Sequence, residues 1–221
     1  FETAFFFFFF NEEDKPTVYS TSLISLSISS LVFFLLCLVF AQPIASSIRY
    51  PEHSEYIIWF ALILSTEAIT AVPFAKLRLE NRPIRFAFIK LTNIAINVLV
   101  NVFFLMLCPY LLTSESVYWR EFAESVYNPD FGVGYVFIAN LVASMVTFAM
   151  LLPDILKVQR IFNTELWKRM MRYSFPLLIG GLAGITNEMF SRVSLKYQLP
   201  EEIAMHDLGV FGACYKVAVL M

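Results

Sequence analysis

Two long apolar runs joined by a short basic connection constrain this chain more than any other stretch. The runs cover residues 56–74 and 86–108. Each is long enough for a helix that crosses a bilayer, which takes about 20 apolar residues. Around the connection, one acidic residue, Glu80, stands against five basic ones: Lys76, Arg78, Arg82, Arg85 and Lys90. Short loops rich in Lys and Arg stay in the cytoplasm, so this hairpin predicts both the class of the protein and its orientation.

Composition favours a membrane protein over a soluble domain. Hydrophobic residues make up 58% of the chain and charged residues only 15%, whereas soluble domains carry about 25% charged residues. An open strand cannot lie in lipid, because its backbone groups would have no partners. The sequence therefore predicts an all-α, polytopic membrane helix bundle. A net charge near zero gives no reason to expect a nucleic-acid partner.

Further apolar segments extend this pattern along the chain. We expect the end of one membrane helix, three complete spans and the start of a last span, at residues 1–10, 19–41, 134–152, 174–193 and from 207 or 208 onward. The connections carry few and many basic residues in alternation, which places residues 76–85 and 154–172 in the cytoplasm. The outer loops are then residues 42–55, 111–131 and 194–206. Because both chain ends lie within apolar patterns, we expect a piece of a longer multi-pass protein.

A basic stretch in the second half of the chain separates two predicted spans. Pro153 is expected to end the first of them, and Ser174 to cap the second, with Pro176 in its first turn. Between them, residues 154–172 repeat an apolar side chain every four positions among basic ones, at Val158, Phe162, Leu166 and Met170. This pattern suits an amphipathic helix on the inner membrane surface. A solvated linker helix between two bundles is the other interpretation, and both can hold.

The same stretch divides the chain into predicted domains. Residues 1–153 are expected to form the remainder of an N-terminal transmembrane lobe. Residues 154–172 then form a cytoplasmic amphipathic linker, and residues 173–221 start a truncated C-terminal lobe.

Ionisable residues inside predicted spans are expensive in lipid and are therefore candidates for function. Glu67 lies about 17 Å from the outer start of its span, near the membrane midplane. Glu188 lies past the middle of a later span, and Arg192 follows one turn on, where it can also snorkel to the outer surface. Lys216 lies in the last span. We favour cavity positions for both carboxylates; the alternative for Glu67 is a buried ion pair with Lys216 or Arg192.

Asn93, Asn97 and Asn101 form a polar stripe along one predicted span, because they are spaced by four residues. Hydrogen bonds between helices explain such a stripe, at about 0.6–2 kcal/mol each. The wall of a hydrated cavity explains it equally well, and the sequence leaves both interpretations open.

Catalytic and metal-binding signals are weak throughout the sequence. His53 and His206 lie in predicted outer loops without a paired nucleophile or ligand spacing. The three cysteines are too dispersed for a metal motif, and we expect them to be small apolar packing residues. The motifs H-x-x-x-x-D, D-x-D and H-E-x-x-H and a Gly-rich phosphate loop are all missing. The sequence favours a transporter over an enzyme, with no catalytic residue, metal or cofactor.

Four stretches of the sequence are similar to a known family: ETAFFFFFFN at 2–11, VYSTSLIS at 18–25, PFAKLRLENRPIRFAFIKLTNIAINVLVN at 73–101 and SFPLLIGGLAGITNEMFSR at 174–192. They resemble the oligosaccharide flippase family, the Wzx-type polysaccharide biosynthesis proteins of the MOP superfamily, related to MATE exporters and to the lipid II flippase MurJ. The third stretch is the most specific, because it combines the basic hairpin with the Asn stripe. Phe7 departs from the family, in which a basic residue is expected near this position.

The resemblance implies two helix bundles that form a V around a central cavity and work by alternating access. It implies a polyprenyl-pyrophosphate-linked oligosaccharide as substrate, moved across the bacterial inner membrane for surface polysaccharide or lipopolysaccharide synthesis. Membrane lipids are then the surroundings, and a proton or sodium is the candidate coupling ion. Together with the polar residues above, this gives seven candidates for the cavity: Glu67, Asn93, Asn97, Asn101, Glu188, Arg192 and Lys216.

Two other function classes stay open at this point. A MATE-like cation-coupled multidrug exporter would need an acidic, aromatic-lined cavity rather than a cationic one. A membrane enzyme of polysaccharide assembly is the less favoured alternative, since its catalytic loop would have to lie beyond the ends of this sequence.

Overall fold

The computed structural model describes residues 1–47, 52–113, 117–159, 161–198 and 201–219, with some helical side chains toward the end of the chain left undescribed. These residues form helices and turns, with no strand among them. The α-helices are α1 (Glu2–Asn11), α2 (Lys15–Val39), α3 (Ala41–Ser47), α4 (Ser54–Leu79), α5 (Pro83–Val102), α6 (Cys108–Leu112), α7 (Val117–Val126), α8 (Gly134–Leu156), α9 (Thr164–Gln198) and α10 (Glu201–Val219). The predicted all-α class is confirmed for this part of the chain.

Four helical segments within the described ranges are long and apolar enough to cross a membrane: Lys15–Val39, Ser54–Leu79, Pro83–Leu112 and Gly134–Leu156. They coincide with the spans predicted at 19–41, 56–74, 86–108 and 134–152. The third joins α5 to α6 through a π-helical turn at Phe103–Leu107, which ends two residues before Pro109. The span predicted at 174–193 lies within α9, where several side chains are undescribed, and it stays a prediction.

The chain separates into two compact units. One comprises residues 2–170, and the other comprises residue 1 with residues 171–221. The first unit contains the four candidate membrane helices, and the second contains most of α9 and all of α10. The predicted two-lobe, V-shaped architecture goes beyond this division and stays a prediction.

Within the first unit, α2 packs against α4, α4 against α8, and α8 against α5. Small and polar residues are buried on these helices, including Ser30 of α2, Ala61 and Ser65 of α4 and Ala143 of α8. Large apolar side chains point away from the contacts, for example on the outer faces of α2 and α5 at Leu31, Leu35, Leu91 and Val98. Small residues at helix contacts and large apolar residues on the outside are typical of helices packed in lipid.

The basic hairpin forms as predicted. Helix α4 ends at Leu79 and α5 begins at Pro83, so only residues 80–82 form the turn. Asn81 adopts a left-handed conformation there, with φ of 53°, which Asn tolerates better than most residues do. Proline at the start of α5 has no N–H to leave unpaired. The turn thus brings the ends of two candidate spans together beside their basic residues.

Pro153 does not end α8, contrary to the prediction. The helix continues to Leu156 with Pro153 inside it. The missing proline N–H removes one hydrogen bond, but tertiary contacts hold the last turn. The guanidinium of Arg85 donates to both carboxylate oxygens of Asp154 at 3.1 and 2.6 Å, and the Tyr19 hydroxyl donates to the Asp154 carbonyl at 3.2 Å.

Residues 154–172 do not form one amphipathic helix. They comprise the end of α8, a connection whose described residues are not helical, and the start of α9. The Asn163 side chain accepts the backbone N–H groups of Glu165 and Leu166 at 3.0 and 3.1 Å, which is the geometry of an N-cap. Ser174 is therefore not a cap but an interior residue of α9. The predicted cap is wrong because Asn163 already caps the helix eleven residues earlier.

The predicted outer loops contain more helix than the sequence suggested. Helix α3 overlaps residues 42–55 from residue 42 to residue 47, and α7 lies within residues 111–131. Residues 194–206 include the end of α9 and the start of α10, so the last helix begins before residue 207. Ala45 of α3 and Ala123 of α7 are fully buried, so packing of small side chains supports helices that have little hydropathy signal.

Candidate functional site

A cavity of about 470 Å³ opens between α1, α4, α5 and α8 in the first unit. Its lining combines two carboxylates, two cations, four uncharged polar side chains and two aromatic rings. These are Glu2, Glu67, Arg78, Lys90, Thr70, Asn93, Ser144, Thr147, Phe74 and Phe86, together with Ala71. A polar cavity of this kind between candidate membrane helices can bind a hydrophilic group that lipid excludes.

Glu67 is the first of the five α4 residues that line this cavity. It is 13 residues from the start of α4 and 12 from its end, so it is about 18–20 Å from either end of the helix. Its side chain is exposed, and the Ser144 hydroxyl lies 3.4 Å from its Oε1. Among the described residues, no cation pairs with it. A carboxylate in this position remains free to accept hydrogen bonds from a ligand.

The neighbours of Glu67 on α4 separate into two faces. Thr70 lines the same cavity as Glu67. Ser65 instead donates to the Ser30 carbonyl of α2 at 3.1 Å, and Thr66 donates to the Leu62 carbonyl of its own helix at 2.8 Å. The polar cluster on this helix therefore serves both the cavity and the α2–α4 contact.

The Asn stripe of α5 faces α8. Asn93 donates to the Thr147 hydroxyl at 2.9 Å, and Asn97 donates to Asn140 Oδ1 at 2.6 Å. Asn101 donates to the side chain of Asn97 at 2.9 Å. Asn93 also lines the cavity, whereas Asn97 and Asn101 are not part of its lining. Both interpretations of the stripe thus have structural support, at different residues.

Basic side chains surround one end of the cavity. Lys90 Nζ lies 4.4 Å from the centre of the Phe74 ring. Arg78 pairs with Glu2, which bridges α4 to α1, and its guanidinium lies over the Phe86 ring at 5.4 Å. A cation over an aromatic ring is attracted by the negative face of that ring. These contacts hold two cations between the cavity and the basic hairpin.

Three of the seven candidates lie where the structure does not describe side chains. Glu188 and Arg192 are on α9, and Lys216 is on α10. All three belong to the second unit. Their cavity roles stay predictions, as does an ion pair between Glu67 and either Lys216 or Arg192.

Sequence reasoning missed the contribution of α8. Asn140, Ser144 and Thr147 are spaced by four and three residues, which is a polar helical stripe of the same kind as the one on α5. That spacing was a usable signal. At the level of sequence, Lys90 and Arg78 are used only to predict the orientation in the membrane. Both lie at the same cavity as Glu67, but they are distant from Glu67 in the sequence, and spacing alone does not show this proximity.

Metal-ligating clusters are not found in the described ranges, where no three His, Cys, Asp or Glu side chains come together. Comparisons with protein-family models, with curated proteins and with solved structures each give no match to this chain.

Proposed function

We propose that this chain is part of a flippase that moves a polyprenyl-pyrophosphate-linked oligosaccharide across the bacterial inner membrane. One observation carries the proposal: a polar cavity with the mid-helix carboxylate of Glu67 lies among helices long enough to span the bilayer. Sugar hydroxyls require such donors and acceptors once they leave water, because an unpaired polar group in lipid is costly. The family resemblance of residues 73–101 supports the same conclusion.

The chemistry of the lining suits the two parts of the polar head group. Glu67, Asn93, Ser144 and Thr147 offer acceptors and donors to an oligosaccharide. Arg78 and Lys90 offer positive charge to a pyrophosphate at the basic end of the cavity. The lipid tail would stay in the bilayer beside the helices while the head group crosses.

Alternating access is the proposed mechanism, with the second unit contributing Glu188, Arg192 and Lys216. The two basic side chains would add positive charge for the pyrophosphate. Glu67 is also the candidate group for coupling to a proton or to sodium, because it forms no ion pair within the described residues.

A cation exporter is the second candidate, and the combination of Glu67 with Phe74 and Phe86 favours it. Carboxylates and aromatic faces together bind organic cations. Lys90 lines the same cavity, forms no ion pair within the described residues and opposes a cationic cargo by charge repulsion. For this reason, and because of the family resemblance, we favour the anionic lipid-linked substrate.

Reconstitution distinguishes the two functions. The protein is placed in liposomes with a lipid-linked oligosaccharide, and its transfer between leaflets is followed by accessibility to a glycosidase. The proposal expects transfer that depends on the protein and on the pyrophosphate group. Transport of an organic cation such as ethidium, without oligosaccharide transfer, would favour the exporter and overturn the proposal.

A further inference from the structure

A second cavity, of about 520 Å³, lies at the basic end of the first unit. Its walls come from α1, α2, α4 and the connection that follows α8. The lining residues are Phe9, Lys15, Pro16, Tyr19, Lys76, Leu79, Glu80, Lys157, Val158 and Gln159. It shares no lining residue with the cavity around Glu67.

Three lysines from three different elements meet at this cavity. Lys15 begins α2, Lys76 lies in the last turn of α4, and Lys157 follows the end of α8. Glu80 is the one acidic residue of the lining, and its carboxylate is 3.7 Å from Lys76 Nζ. Within the described residues, Lys15 and Lys157 form no ion pair. The cavity therefore has a surplus of positive charge.

Aromatic rings fix two of these ammonium groups at the cavity wall. Lys76 Nζ lies 4.2 Å from the centre of the Tyr19 ring, and Lys15 Nζ lies 5.5 Å from that of Phe9. The Tyr19 ring is itself held by its hydroxyl, which donates to the Asp154 carbonyl at 3.2 Å. An ammonium held over a ring keeps its charge available to an anion, because the ring does not neutralise it.

The location of the cavity indicates the source of the anion. Lys15 and Lys76 are at the ends of two candidate membrane spans, Lys15–Val39 and Ser54–Leu79. Lipid phosphates lie at this depth, next to the hydrocarbon core. Apolar side chains of Phe9, Leu79 and Val158 share the lining, which suits the glycerol and first acyl carbons below a phosphate.

We propose that this cavity binds the phosphate head group of an anionic phospholipid from the leaflet that borders the basic end. The lysines bind the phosphate, and the apolar part of the wall contacts the glycerol backbone. The site is separate from the transported cargo, so it does not depend on the proposed flippase function. It would anchor the ends of α2, α4 and α8 to one lipid molecule.

Native mass spectrometry of the detergent-purified protein tests this proposal with phosphatidylglycerol and phosphatidylcholine as probes. One lysine near an anionic lipid surface contributes about fivefold in affinity. We therefore expect Lys15→Gln with Lys157→Gln to weaken phosphatidylglycerol binding by about 25-fold. Phosphatidylcholine should bind weakly to both forms. These two lysines are chosen because their replacement breaks no ion pair within the described residues.

Lys168→Gln with Arg172→Gln is the matched control, because it removes the same charge from exposed positions on α9. The control should bind phosphatidylglycerol within about twofold of the parent protein. Equal weakening by both double variants would overturn the proposal, because it would show a general charge effect. If the first double variant does not fold, the two single variants are compared, each with about a fivefold expected loss.

Free phosphate is the remaining source of the same chemistry. Inorganic phosphate at the concentration of the lipid should not displace phosphatidylglycerol if the glycerol and acyl contacts contribute. Displacement at equal concentration would assign the site to free phosphate. Unchanged phosphatidylglycerol binding in the Lys15 and Lys157 variant would overturn the proposed site.

Discussion

Glu67 is the residue on which the proposed function depends most. It lies mid-helix, it is exposed to the cavity, and its described contact is with a single hydroxyl at 3.4 Å. An ionised acid facing lipid at this depth would cost about 2.5–3.5 kcal/mol on insertion scales. A polar cavity removes most of that cost, and a carboxylate kept there is consequently available to a ligand.

Glu67→Gln should leave the protein inserted and folded but lower transport about tenfold, since a hydrogen bond to a charged group contributes about 1.5 kcal/mol. Complementation of a flippase-deficient strain at equal protein level measures the effect. Glu124→Gln on α7, an exposed carboxylate outside the cavity, is the matched control. Normal complementation by Glu67→Gln would show that Glu67 has no role in transport.

A loss of folding in Glu67→Gln would have a different meaning. If Glu67 formed a buried ion pair with Lys216 or Arg192, the amide would leave a buried cation unpaired and cost several kcal/mol of stability. Thermal unfolding of the purified variant therefore separates the cavity role from the structural one.

Asn93 and Asn97 should respond differently to the same substitution. Asn97→Ala removes the bond to Asn140 and the acceptor for Asn101, so we expect a loss of about 0.6–2 kcal/mol in the free energy of unfolding. Its transport at equal protein level should stay near normal. Asn93→Ala should lower transport, because Asn93 also lines the cavity. Equal transport defects in both variants would contradict this division.

At the scale of helices, the ion pair between Arg85 and Asp154 connects the start of α5 to the end of α8. Both side chains are partly buried, and the two hydrogen bonds form a bidentate pair. Bidentate charged pairs are among the stronger polar contacts in proteins. This contact stabilises α8 beyond Pro153 and holds the basic end of the α5–α8 pair together.

Arg85→Ala should lower the free energy of unfolding by about 1.5–3 kcal/mol, because it leaves the carboxylate of Asp154 without its partner. The swapped pair, Arg85→Asp with Asp154→Arg, should recover part of this loss. A double-mutant cycle in detergent measures the coupling between the two positions. Additive effects of the two single substitutions would mean that the pair contributes no coupling energy. Arg120→Ala, which removes an exposed pair with Glu124, is the control for a surface salt bridge.

For the whole molecule, the distribution of charge predicts the orientation in the membrane. Lys15, Lys76, Arg85 and Lys157 lie at one end of the α2, α4, α5 and α8 bundle. Glu121 and Glu124 lie on α7, in the connection at the other end. The positive-inside rule places the first end in the cytoplasm.

Cysteine labelling tests this orientation in intact cells. With the native cysteines replaced, Arg82→Cys should resist an impermeant maleimide added from outside, and Glu124→Cys should react. The two positions are equally accessible in the fold, with side chains 58% and 56% exposed, so a difference reports sidedness. Strong labelling at position 82 from outside would overturn the whole predicted topology.

The sequence by itself determined the class of the protein, because hydropathy is a property of the local chain. Apolar runs of bilayer length and a basic hairpin can be recognised without knowing which residues contact each other in the fold. The four candidate spans overlap the apolar runs. Helix ends were less predictable, since they depend on contacts. Asp154 keeps α8 helical beyond Pro153 through its partner on another helix, and the capping of α9 by Asn163 makes Ser174 an interior residue.

Only the tertiary structure decided which polar residues share a cavity. Successive residues of the Asn stripe are about 6 Å apart along the helix axis. Asn93 borders the cavity as well as α8, whereas Asn97 bonds to Asn140 of α8 and Asn101 bonds to Asn97, and neither lines the cavity. Ser144 and Lys90 are distant from Glu67 in sequence and join it at one cavity, because the packing of α8 between α4 and α5 brings them together.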